Sequence, residues 1–156
     1  MIIKCLGAFL ATAALSVAFE APKKYLLHAG VAGALSWGIY LVILGASKDV
    51  VMATFVATAV LTLISHIMAR IWKAPVTMYL IPAVIPLVPG SGMYHVAYSL
   101  IYENKSAAAN YGYETILLAG AIALGIFVVD MVFRNNMLQK NKKKSSDTSA
   151  AKLFRE

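Results

Sequence analysis

Ile81-Pro82-Ala83-Val84-Ile85-Pro86-Leu87-Val88-Pro89-Gly90-Ser91-Gly92-Met93-Tyr94 puts three prolines and two glycines inside an apolar stretch that runs from Val76 to Tyr102 without a formal charge. A proline inside a helix releases the carbonyl four residues back. Pro82, Pro86 and Pro89 would release those of Met78, Pro82 and Ile85. The stretch is too long for one straight membrane span and carries too many breakers. It reads as two half-helices joined at Pro89-Gly90, with a new helix starting near Ser91. The first N–H groups of that helix point into the break and carry partial positive charge. Gly90 and Gly92 allow close approach to the backbone. Acceptors on one side and donors on the other are the layout of midplane substrate sites in transporters with interrupted helices. Three prolines are more than a structural kink requires.

The rest of the chain agrees with a lipid setting. Of 156 residues, 60% are hydrophobic and 13% charged, and mean hydropathy is +0.74. Ordinary soluble domains run at about 45–50% apolar and ~25% charged. A chain this short has too little interior to hide so much apolar surface from water. Disorder is excluded, and a soluble enzyme is not expected. One cysteine, Cys5, leaves no intrachain disulfide and no thiolate metal cluster. There is no phosphate loop with its lysine, no metal-ligand spacing and no nucleophile with a placed base. The sequence therefore predicts neither catalysis nor a cofactor.

Working outward from the break, four further apolar stretches appear: Cys5 to Phe19, Tyr25 to Ala46, Val50 to Met68 and Thr115 to Phe133. A span needs about 20 apolar residues. The fold class predicted is an all-α integral membrane protein of about five transmembrane helices, the fourth broken. Lys4 and the first stretch also resemble a signal peptide, but no small-x-small cleavage site precedes Glu20. With five crossings, Lys4, Lys48 and Lys105 fall on one side and the other eleven basic residues on the opposite side. A re-entrant fourth stretch would give a flatter split of 9 to 5. The excess of basic residues marks the cytoplasm. The N-terminus is then outside and the C-terminus inside. Residues 1–133 form the membrane domain. Residues 134–156 read as a basic, disordered cytoplasmic tail suited to anionic lipid. The net charge of +7 is not read as nucleic-acid binding, because that tail has no interleaved aromatics.

Polar residues inside spans are candidates for the pathway. After the break, Ser91, His95 and Ser99 recur at helical spacing, with Tyr94, Tyr98 and Tyr102 on the adjacent stripe. Tyr102 suits the membrane interface, and Tyr94 and His95 join Pro82, Pro86, Pro89, Gly90, Ser91 and Gly92 as substrate-pathway residues. Thr54, Thr58, Thr62 and Ser65 line one face of the third stretch and are expected to bond the preceding turn. His66 beside them could exchange a proton. Asp130 is the single acid within a span. Its simplest partner is Arg134 one turn on, and a role in a proton relay is the alternative. Ala121 and Gly125 form a small-xxx-small pair suited to close packing.

The segment "IPAVIPLVPGSGMY", preceded by "ARIWKAP", resembles the signature of the threonine/serine exporter family of the ThrE type. "FEAPKKYLLHAGVAGALSW" resembles the segment that links that domain's first two helices. The resemblance extends to about Phe133. It implies a transport domain that occurs fused to a larger exporter domain or as a separate small subunit, the YjjB-like form, whose length this chain has. It also implies a larger ThrE-domain membrane subunit as partner and a small organic substrate. That substrate is threonine or serine, or a dicarboxylate such as succinate in the two-subunit branch. A non-transporting assembly subunit is the rival reading. The expected topology has a direct test: reporter fusions after Phe19, Ala46 and Phe133 should read inside, outside and inside, and an extracellular signal from the tail would overturn it.

Overall fold

The computed structural model describes the backbone of residues 2–102 and 105–153, with side chains to residue 135. All regular structure among the described residues is helical. The helices are α1 (Ile2–Ala18), α2 (Lys23–Ser47), α3 (Val50–Trp72), α4 (Thr77–Val84), α5 (Gly90–Ile101) and α6 (Lys105–Leu153), with a 3₁₀ turn over Ile85–Leu87. Three helices are long and apolar enough to cross a membrane: α2, α3 and the 105–135 part of α6. The fourth crossing is the pair Thr77–Leu87 and Gly90–Ile101, bent by 49°. α1 is apolar but has 17 residues, the lower limit for a span. α6 begins ten residues before the apolar stretch from which it is read in sequence. The tail expected over 134–156 lies largely outside the residues whose side chains are described.

Short connections fix the up-and-down order. Asp49 caps α3, its carboxylate accepting from the N–H groups of Val51 (2.9 Å) and Met52 (3.3 Å). That satisfies two of the first N–H groups, which have no partner inside the helix. Lys48 and Lys73 take left-handed conformations, φ 57° and 50°, and close the C-termini of α2 and α3.

The order of contacts shows that the broken pair crosses rather than turns back. Gly125 of α6 sits on Thr58 of α3, and Asp130 meets His66. Residue numbers rise together along the two helices, so α3 and α6 run parallel. A hairpin between them would have left them antiparallel. Gly92 faces Thr115, and His95 faces Tyr111, so α5 runs antiparallel to α6. Throughout, the "basic end" of the bundle is where α3 finishes at Arg70 and Trp72; the "far end" is where α3 begins.

α4 docks against α1, α2 and α3, whereas α5 leans on α6. The core is built from small side chains. Ala32, Ala57, Leu61, Ala83 and Leu87 form one buried cluster, and Tyr25, Ala29, Ala69 and Tyr79 another. Lipid tails are as apolar as leucine, so helices associate here through close packing rather than escape from water. The hydroxyls of Thr58, Thr62 and Ser65 are accordingly turned back onto the carbonyls of Thr54, Thr58 and Leu61 at 2.6–2.9 Å. Small residues on α6 complete the seam: Ala121 and Gly125 are buried. A Cβ at Gly125 would lie 2.9 Å from the Phe55 carbonyl oxygen and 3.2 Å from the Ala59 nitrogen. Those are backbone atoms and cannot step aside. Gly125→Val should therefore prise α6 from α3 at a cost of about 1–3 kcal/mol. Thermal unfolding in detergent, followed by circular dichroism, should show the loss. Gly7→Ala, which meets nothing within 4 Å and replaces a glycine inside a helix, should not lower the transition.

Candidate functional site: a cavity at the helix break and a charged cavity at the basic end

The break is a defined turn. Pro89 has φ −75° and ψ 61°, and the Gly90 N–H donates to the Val88 carbonyl at 2.8 Å. This is an inverse γ-turn, and the proline ring already holds φ near the value it needs. The Val88 N–H donates to the Ile85 carbonyl at 3.0 Å. Of the acceptors that the prolines release, Ile85's is thus consumed by the 3₁₀ turn, a closure that spacing alone does not foretell. On the other side, the Met93 N–H donates to the Pro89 carbonyl at 3.2 Å. The N–H groups of Ser91 and Gly92 donate to no backbone carbonyl among the described residues. They are the exposed start of α5 and carry its partial positive charge.

A cavity of about 390 Å³ opens at this turn. Pro86, Pro89, Gly90 and Ser91 line one wall; Trp37, Tyr40 and Thr54 face them from α2 and α3. No lining residue carries a formal charge. Sequence reasoning gave the first wall and missed Trp37. The signal was an indole inside a span, whose N–H needs a partner. Pro82 lies outside the cavity, fully buried against the neighbouring helices. The two glycines separate in role. A Cβ on Gly90 would meet open space, whereas one on Gly92 would collide with the Thr115 hydroxyl. Gly92 therefore seats α5 on α6, and Gly90 borders the cavity. Tyr94 and His95 point elsewhere: Tyr94 is 62% exposed, and His95 stacks on Tyr111 at 5.0 Å.

The second cavity, about 380 Å³, lies at the basic end between α3, the α3–α4 connection and α6. His66 Nε2 and Asp130 Oδ1 are 3.1 Å apart across its wall. Asp130 thus pairs with a histidine on another helix rather than with Arg134, because the α3–α6 seam aligns residues 66 and 130. The Phe133 ring stacks on the His66 ring at 4.5 Å and 7°, and the Arg70 guanidinium lies 4.9 Å over the same ring. His66 and Asp130 are therefore one unit, separate from the break. Positions 54 and 70 of α3 mark the two cavities and lie about 24 Å apart along its axis. No group of three or more metal-ligating side chains occurs among the described residues.

Residues 4–132 match the family model described as Threonine/Serine exporter, ThrE. No curated protein and no solved structure matches the chain.

The break cavity can be probed by its polar wall. In a Cys5→Ala background, cysteine at position 91 should react with a water-soluble maleimide, and cysteine at the buried position 99 should not. Equal labelling of both would mean that the wall around Ser91 is not reached from water.

Proposed function

Because the chain belongs to the threonine/serine exporter family, we propose that it is the small subunit of a secondary exporter of threonine and serine, working by alternating access around the Pro89-Gly90 break together with a larger exporter subunit. The observation that carries the reading is the uncharged cavity at the break, with two backbone N–H groups of α5 and the Ser91 hydroxyl beside it. A carboxylate is held by helix N–H groups, an ammonium by carbonyl oxygens, and a substrate hydroxyl by Ser91 or Tyr40. Together these describe a hydroxy-amino acid. A dicarboxylate would bring a second negative charge into a site with no cation, and an unpaired buried charge costs several kcal/mol.

His66 and Asp130 serve as the proton-coupling pair in this reading. An imidazole can take up and release a proton at its ring nitrogens, and a carboxylate at 3.1 Å holds it in place. The N-terminus lies outside and the basic end faces the cytoplasm, following the 11-to-3 division of Lys and Arg. A chain of this topology suits a partner of inverse topology, as in transporters built from inverted repeats.

Vesicles carrying this chain and the larger subunit should exchange labelled threonine in counterflow, and vesicles with this chain alone should not. Gly90→Val should abolish exchange without loss of membrane insertion. Exchange of succinate but not threonine would overturn the substrate assignment, and full export by the lone chain would overturn the two-subunit arrangement.

A further inference from the structure

The cavity at the basic end carries charged groups whose hydrogen-bonding capacity is largely unused among the described residues. Arg70 and Arg134 both line it, and neither forms an ion pair among the described residues. Asp130 lines it too. One of its carboxylate oxygens meets His66, and the other accepts from no described side chain. The Asp130 side chain is 58% exposed, so that oxygen can be reached. Ala69, Ala74, Val76 and Phe133 make the remaining surface apolar. Two guanidiniums and a half-used carboxylate thus face one another across a space of about 380 Å³, near the lower end of the usual range for small-ligand sites. The Arg70 guanidinium lies 4.9 Å over the Phe133 ring, a contact that uses none of its five N–H donors.

We propose that this cavity is a zwitterion-binding site, in which Arg70 and Arg134 take the anionic end of the ligand and Asp130 its ammonium. Guanidinium forks match the geometry of a carboxylate or phosphate. A primary ammonium supplies the donors that the free Asp130 oxygen lacks. Two sources carry that pair of charges at a membrane edge: a free α-amino acid and the headgroup of phosphatidylethanolamine. The site stands on the cavity's own residues. It borrows from the exporter reading only the choice of threonine as probe.

The full chain in nanodiscs of phosphatidylcholine, whose quaternary ammonium has no N–H, should bind labelled threonine measurably by equilibrium dialysis. Asp130→Asn should weaken that binding at least tenfold while leaving binding of lactate, which has no ammonium, within twofold. Arg134→Gln should weaken both. Asp130→Glu should restore threonine binding, which separates recognition from misfolding; size-exclusion elution checks the fold of each variant. These variants are compared in a Gly90→Val background, which closes the break cavity, so that the binding read is that at the basic end. In a second arm, nanodiscs with phosphatidylethanolamine are washed and the retained lipid is counted. Retention lost in Asp130→Asn and Arg134→Gln, with no threonine bound, would support the site and identify the lipid as its occupant. The proposal is overturned if neither threonine binding nor lipid retention responds to Asp130→Asn and Arg134→Gln. Because binding is read without transport, a failed export assay leaves the outcome intact, and successful export does not rescue it.

Discussion

A backbone N–H or carbonyl that faces hydrocarbon without a partner costs several kcal/mol. The sharpest interruption of the hydrogen-bond ladder inside a span among the described residues is at Pro89-Gly90, and the surrounding architecture answers it. The 3₁₀ turn consumes the Ile85 carbonyl, the γ-turn consumes the Gly90 N–H, and α2 and α3 bring the side chains of Trp37, Tyr40 and Thr54 to the opposite wall. α4 can end where it does because Tyr79, Pro82 and Ala83 are buried in a cleft of small residues. α5 can start afresh because Gly92 lets it settle on Thr115.

The break and the helical class are legible in the sequence because proline and glycine act locally. A ring that fixes φ and removes a donor does so whatever surrounds it. The polar line of α3 is equally legible: Thr58, Thr62 and Ser65 can reach the carbonyl one turn back in any helix. What sequence does not give is which helix faces which. Asp130 and Arg134 are one turn apart, and local spacing pairs them. The pairing with His66 depends on α3 and α6 running parallel in a register set by Gly125 on Thr58. Trp37 of α2 and Leu118 of α6 join the break cavity only through the three-dimensional packing of those helices.

Charge is distributed unevenly between the two cavities. The one at the break contains dipoles and hydroxyls but no formal charge; the one at the basic end contains two guanidiniums, a carboxylate and an imidazole. The formal charges collect at the end of α3 where Arg70 and Arg134 stand, and a charge near the membrane edge is within reach of water and headgroups.

The α3–α6 seam has a mechanical consequence. At Gly125 the two backbones touch so closely that not even a methyl group fits between them. One cavity lies about 10 Å from that point along α6, at Leu118, and the other begins about 8 Å away on the opposite side, at Asp130. A close contact between two hollows has the geometry of a fulcrum. A small tilt of α6 about Gly125 that draws Leu118 toward the break carries Asp130 and Arg134 away from α3, and the reverse tilt does the opposite. In the alternating-access reading proposed above, opening at one end and closing at the other would be a single motion of one rigid rod, with no signal passed between the two ends.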